Sequence, residues 1–139
     1  MLNKIFDIIE KYESLGNFTY GYVLDSGLNE VESRLNIKLP QEYREFLIRF
    51  GHGGIGGLEI LGVGREGEMI FEEETVEFRK YGLPHHLIVI ENCDEWVYCI
   101  NSNNGKIVTW SMEDDEIYED YDSFGEYLYD RVTDILENS

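Results

Sequence analysis

Three apolar runs in the second half of the chain sit close enough together to be neighbouring strands. They are LIVIE at 87–91, WVYCIN at 96–101 and KIVTW at 106–110. Each is rich in β-branched and aromatic residues, which suit a pleated, half-buried surface. Ser102-Asn103-Asn104-Gly105 joins the second run to the third. Its Asn-Gly pair accepts the positive φ that a type I′ hairpin turn needs. The three runs therefore read as a meander, and the sheet as largely antiparallel.

Helical stripes fill most of the remainder. Leu2, Ile5, Phe6, Ile9, Tyr12 and Leu15 recur at helical spacing, so residues 2–15 read as an amphipathic helix stopped by Gly16. Residues 17–25 are a loop or a short extended piece. Asp25 or Ser26 is expected to cap a second helix, with Leu28, Val31 and Leu35 facing inward. Leu39 precedes a proline, which disfavours helix there, and Pro40 suits the first position of a third helix. Tyr43, Phe46, Leu47 and Phe50 form its buried stripe, and Gly51 is placed to end it. GHGGIGG follows as a flexible stretch. Leu58 and Ile60, with or without Val63, then read as a strand. Residues 71–81 are a fourth helix ending at Gly82. The last helix opens on Ser123-Phe124-Gly125-Glu126, a capping-box pattern, and turns Tyr127, Leu128, Val132, Ile135 and Leu136 inward. The expected fold is α+β: a single domain over residues 1–139, its largely antiparallel sheet flanked by about five helices.

The composition is 42% apolar and 14% aromatic, far from that of a disordered acidic chain. No apolar run approaches the ~20 residues that span a bilayer. Asp7 and Glu10 interrupt the N-terminal apolar segment, unlike a signal peptide. Two cysteines, Cys93 and Cys99, do not suggest a disulfide framework. The chain reads as cytosolic with reduced thiols.

Charge is the dominant functional clue. The formal net charge is −18. Residues 111–139 carry eleven acids against a single base, Arg131, so more than half of the excess lies after Trp110. Such a surface repels nucleic acid and anionic membrane and attracts basic partners. The excess is well above the magnitude of about 2–8 that suffices for solubility in a small domain. One cluster is Glu72, Glu73, Glu74 and Glu77, near a helix N-terminus where carboxylates oppose the positive dipole end. The other is Glu113, Asp114, Asp115 and Glu116 with Glu119 and Asp120, in what reads as a loop between strand and helix. It lacks the spacing of a calcium-binding EF-hand loop. Tyr118 and Tyr121 lie among these acids. Carboxylates interleaved with rings suit the reception of Arg and Lys, through ion pairs and cation–π contact.

No catalytic motif competes with this clue. Gly51-His52-Gly53-Gly54-Ile55-Gly56 fits G-x-G-x-x-G, yet a helix precedes it and a strand follows, the reverse of a dinucleotide site. A helix end running into a loop that approaches other backbone closely is the plainer reading. His52, His85 and His86 show no metal-ligand spacing with one another or with the cysteines, and Cys93 and Cys99 are too far apart for a zinc pair. No catalytic, cofactor or metal residue is assigned, and nothing local supports a Cys–His nucleophile.

The stretch from Ser26 to Gly57 resembles the SUKH superfamily, which includes the SMI/KNR-type cell-wall regulators of yeast. The residues that carry the resemblance are Glu30, Val31 and Leu35, then Leu39 and Pro40, then Tyr43, Phe46 and Leu47, then Gly51, Gly53 and Gly54. The order of elements downstream also fits. The His52-bearing loop, with five glycines, is richer than the family's usual one or two. The resemblance implies an α+β domain without known catalysis. It further implies an immunity protein of the bacterial branch, which binds and neutralises a cognate toxin, often a nuclease. The alternative is a regulatory or scaffold module of the SMI/KNR type with a cellular partner; an enzyme ranks behind both. The expected partner is a basic toxin domain, with no direct contact to nucleic acid or membrane, and the expected state a monomer or weak dimer. Glu72, Glu73, Glu74, Glu77, Glu113, Asp114, Asp115, Glu116, Tyr118, Glu119, Asp120 and Tyr121 are the candidate contacts.

Overall fold

The structure, a computed structural model, describes residues 1–138. The elements run α1 (Leu2–Lys11), α2 (Asp25–Leu35), α3 (Gln41–Phe50), α4 (Ile70–Arg79), β1 (Leu87–Asn92), β2 (Val97–Asn101), β3 (Ile107–Trp110), β4 (Ile117–Tyr121) and α5 (Phe124–Glu137). The strands form one antiparallel sheet in the order β1-β2-β3-β4. This is the expected α+β architecture, with helices before and after a meander.

Strand alternation gives the sheet two distinct faces. Val97 pairs with Trp110 and turns to one face; Tyr98 pairs with Thr109 and turns to the other. Trp110 meets Phe78 of α4 edge-on at 6.3 Å. Tyr98 and Tyr121 meet Tyr127 of α5 at 5.3 and 5.7 Å. Helix α4 therefore covers one face and α5 the other. The N-terminal helices extend the core through Phe6, Phe18, Phe46 and Phe50, whose rings approach to 5.0–6.4 Å. The inward stripes expected for α2 and α3 are all buried. Buried aromatics of this kind each stabilise the fold by about 3–5 kcal/mol against truncation to Ala.

Several local expectations are corrected. Helix α1 ends at Lys11, a 3₁₀ turn follows at Glu13–Leu15, and Leu15 is exposed. The chain leaves the helix early because Gly16 pairs with Ile55. Leu24, with no side-chain cap, precedes α2, while the Asp25 carboxylate pairs with Arg44 at 2.9 Å. Pro40 is the cap of α3 rather than its first residue, since its ψ of 144° is still extended. No regular strand forms at 58–63; Gly53 pairs with Ile60 and Val63 with Met69 as isolated bridges. GHGGIGG is no flexible stretch either, for residues 51–55 are buried. Its glycines let two backbone segments touch: a Cβ on Gly62 would lie 1.8 Å from the carbonyl oxygen of Gly51. In the β2–β3 turn only Gly105 has positive φ, at 76°, and its N–H donates to the Asn101 carbonyl at 2.7 Å. That is a four-residue loop, not a type I′ turn, which needs two positive φ values. The largest difference is β4: Ile117–Tyr121 pairs with β3 where a loop was expected.

Candidate functional site at the acidic end of the sheet

A meander places alternate turns at opposite ends of its sheet. The β1–β2 and β3–β4 turns thus emerge together, and the β2–β3 turn emerges at the far end. The first two carry Asp94 and Glu95, then Glu113, Asp114, Asp115 and Glu116; the third carries no acid and runs into Lys106. Among the three hairpin turns the acids are confined to one end of the sheet, while Asp120 and Asp122 lie toward the other.

Acids at these turns also shape them, because Asp tolerates positive φ and accepts bonds from nearby backbone. Asp94 has φ 68° and donates its N–H to Asn92 Oδ1 at 2.9 Å. The N–H of Cys93 donates to the Trp96 carbonyl at 2.9 Å, which closes the turn. Trp96 itself is left exposed. In the β3–β4 turn Asp115 has φ 56° and donates its N–H to the Ser111 carbonyl at 2.9 Å. The Trp110 indole N–H donates to Asp115 Oδ1 at 3.2 Å, and the Tyr118 hydroxyl to Asp114 Oδ2 at 2.7 Å. The bond to Asp114 raises the Tyr118 phenol above its ordinary pKa.

A cleft of about 590 Å³ opens where the two turns meet. Buried Trp110 and half-buried Phe78 line its interior, and exposed Trp96, Met112 and Tyr118 line its mouth. Four carboxylates, of Asp94, Glu95, Glu113 and Asp114, share that lining with no Lys, Arg or His.

Of the expected contacts, the structure gathers Glu113, Asp114 and Tyr118 into this cleft. Asp115 is engaged with Trp110, Glu116 and Asp120 are exposed, and Glu119 faces Lys106 at 3.7 Å. Tyr121 turns away toward α5, where its hydroxyl donates to Asp130 Oδ2 at 2.6 Å. Glu72, Glu73, Glu74 and Glu77 lie on α4, outside the cleft lining. Glu72 accepts from Nε and Nη2 of Arg34, at 2.7 and 2.8 Å, and Glu77 is paired with Lys80 at 3.1 Å. Partial burial, with Glu77, Glu59 and Glu73 nearby, raises the Glu74 carboxyl. The sequence reading passed over Asp94, Glu95, Trp96 and Met112. The parity of the hairpin turns is the signal that joins them to Glu113 and Asp114.

Several other titratable groups serve the fold. Glu91 points from β1 to α5, where Arg131 grips both of its oxygens and the Tyr127 hydroxyl donates to Oε1 at 2.7 Å. Arg131 also lies over the Tyr98 ring at 5.3 Å. The sole base of the acidic C-terminal stretch is thus spent on a buried ion pair. His52 accepts the Gly62 N–H at Nδ1, 2.9 Å away, so Nε2 carries the proton donated to Glu59 at 3.0 Å. Burial pushes the Cys99 thiol up, and burial with the Glu91 charge pushes Cys93 up to about 12. That direction is opposite to the one a nucleophilic thiol requires. Among the described residues no three His, Cys, Asp or Glu side chains are grouped to hold a metal ion. None of the described helices is long and apolar enough to cross a membrane.

A family model described as SMI1-KNR4 cell-wall, of the SUKH group, matches residues 5–133. The chain belongs to this family. The match extends the SUKH signature at Ser26–Gly57 to nearly the whole chain, and membership supports a protein-binding role in general terms. A crystal structure of a protein from Pseudomonas syringae pv. tomato is similar, with a TM-score of 0.74 and 22% identity. That likeness covers 93% of this chain and 98% of the other, and at such identity it shows the shared fold. The SUKH fold here is a scaffold on which the acidic turns are mounted.

Proposed function

We propose that this SUKH domain is a cytoplasmic immunity protein. It binds a basic toxin domain, a nuclease foremost, in a stoichiometric complex and covers its active site. The observation that carries this reading is the concentration of carboxylates and exposed rings at one end of the sheet. A nuclease cleft is basic because it holds phosphates, and an acidic protein can occupy the same ground. Steering by opposite charge speeds the encounter. The contact surface centres on Glu113, Asp114, Asp115, Glu116 and Tyr118, with Glu119, Asp120 and Tyr121 behind them. Glu72, Glu73, Glu74 and Glu77 supply a second negative patch. The protein acts as a monomer or weak dimer and needs no cofactor.

Co-expression with the product of the neighbouring gene tests the reading. The expected result is a 1:1 complex on size exclusion and restored growth of cells arrested by that product. A neighbour without toxicity, together with no rescue from any nuclease-induced arrest, would overturn it. A second reading rests on the family description itself: a regulatory module with a cellular partner. A pull-down that recovers a housekeeping protein in place of a toxin would favour it.

A further inference from the structure

We infer that the cleft between the β1–β2 and β3–β4 turns is an arginine receptor: it takes a guanidinium side chain from an extended basic segment of the partner protein. The inference rests on the binding role proposed above only in that the arginine belongs to a protein. The distinguishing feature is a concave aromatic site, not the acids alone. Trp96, Met112 and Tyr118 are 40%, 54% and 52% exposed at its mouth. Large apolar side chains left open around a pocket mark interaction surfaces.

The chemistry selects the occupant. Four carboxylates and no cation in the lining exclude a phosphate and demand a positive group. Two exposed rings favour a cation that stacks, and carboxylates on two separate turns favour one that bonds through a fork. A guanidinium does both, whereas an ammonium is a strongly hydrated point charge. Asp94, Glu95 and Glu113 have no hydrogen-bond or ion-pair partner for their carboxylates among the described residues, so they are available. A second copy of this chain is a poor occupant. Five of its six arginines, Arg34, Arg44, Arg49, Arg79 and Arg131, are already bonded within the fold. The sixth, Arg65, is exposed but sits in a loop with Glu66 and Glu68, and the acidic end of the second copy would repel.

The test uses the full chain, ¹⁵N-labelled, titrated with acetylated and amidated tri-arginine or tri-lysine peptides. Tri-arginine is expected to shift the indole N–H signals of Trp96 and Trp110 saturably, with the amides of both acidic turns. Tri-lysine should bind at least about three-fold more weakly, the difference that stacking supplies. Trp96→Ala should weaken tri-arginine binding roughly ten-fold, as loss of an anchor does. Glu95→Gln keeps the rings and should weaken it as well; Glu45→Gln, exposed on α3 and outside the cleft, should leave it unchanged. Equal binding of the two peptides, or shifts centred on α4, would overturn the inference in favour of a diffuse field. A captured toxin that binds Trp96→Ala as well as the native chain would likewise overturn it and leave the immunity role standing. Cleft-centred peptide binding in a protein that rescues no arrest would do the reverse.

Discussion

Glu91 occupies a position on β1 where an apolar residue would do, and its side chain is only 7% exposed. A buried charge is tolerable when its lone pairs are filled, and Arg131 with Tyr127 fills them. Breaking such a pair costs more than never having made it. Arg131→Met is expected to destabilise by about 3–5 kcal/mol in urea unfolding, because Glu91 is left charged and unpaired. Adding Glu91→Leu and Tyr127→Phe to it should recover most of that loss, since the buried Tyr127 hydroxyl is then not orphaned and an apolar set of similar size is often neutral. If the triple variant is as unstable as the single, the network contributes more than mutual neutralisation. The same environment governs Cys93. Burial first, and the Glu91 charge second, push its thiol up to about 12. A raised acid constant means that the proton is retained, so thiolate is scarce throughout the physiological range. Iodoacetamide should alkylate Cys93 at pH 8 more than about ten-fold slower than free cysteine, with the rate climbing only above pH ~10. Reaction at the ordinary rate would show that the thiol is more open than its surroundings indicate.

At the scale of elements, the glycine loop and β4 behave differently from the rest. The stripes of α2, α3 and α5 follow a hydrophobic period of 3.6, and β1–β3 are short apolar runs rich in β-branched residues, so both are legible in the sequence. Strand β4 is not. Residues 117–120 of IYEDY are all exposed, because the strand is an edge with α5 packed only near Tyr121. Its register also skips Asp120, so no alternation survives to be read. Acids on such an edge discourage pairing with a second sheet. Missing β4 also hid the site: without it the acids at 113–116 belong to a featureless loop, and Asp94 and Glu95 have no partner turn. The glycines at 51–64 mislead for another reason. Glycine lowers local order in an unfolded chain, yet here it permits contact between backbones. The contrast is testable, since a Cβ on Gly57 meets nothing within 4 Å whereas one on Gly62 collides with Gly51. Gly62→Ala should lose at least about 3 kcal/mol in thermal or urea unfolding and Gly57→Ala less than about 0.5. Equal effects would mean that the loop relaxes freely.

Over the whole molecule, −18 acts on stability and on binding with opposite signs. Like charges repel most in the compact state, so folding carries an electrostatic cost at low ionic strength. The exposed ion pairs, such as Arg49 with Glu10 and Lys80 with Glu77, offset little of it. Salt shortens the range of both effects, from about 30 Å at 0.01 M to about 3 Å at 1 M. Raising sodium chloride should therefore raise the melting temperature of the isolated protein while slowing its association with a basic partner. Neutralising Glu113→Gln, Asp114→Asn and Glu116→Gln together should imitate salt in both respects. The variant should melt higher than the native chain at low salt, and its association rate should be lower and less salt-dependent. The two readouts separate the causes. A higher melting temperature with unchanged association would mean that these acids repel one another but the partner docks elsewhere. Slower association without a change in melting would mean that the turns are spaced widely enough to tolerate their own charge, which leaves recognition as the reason that it is concentrated there.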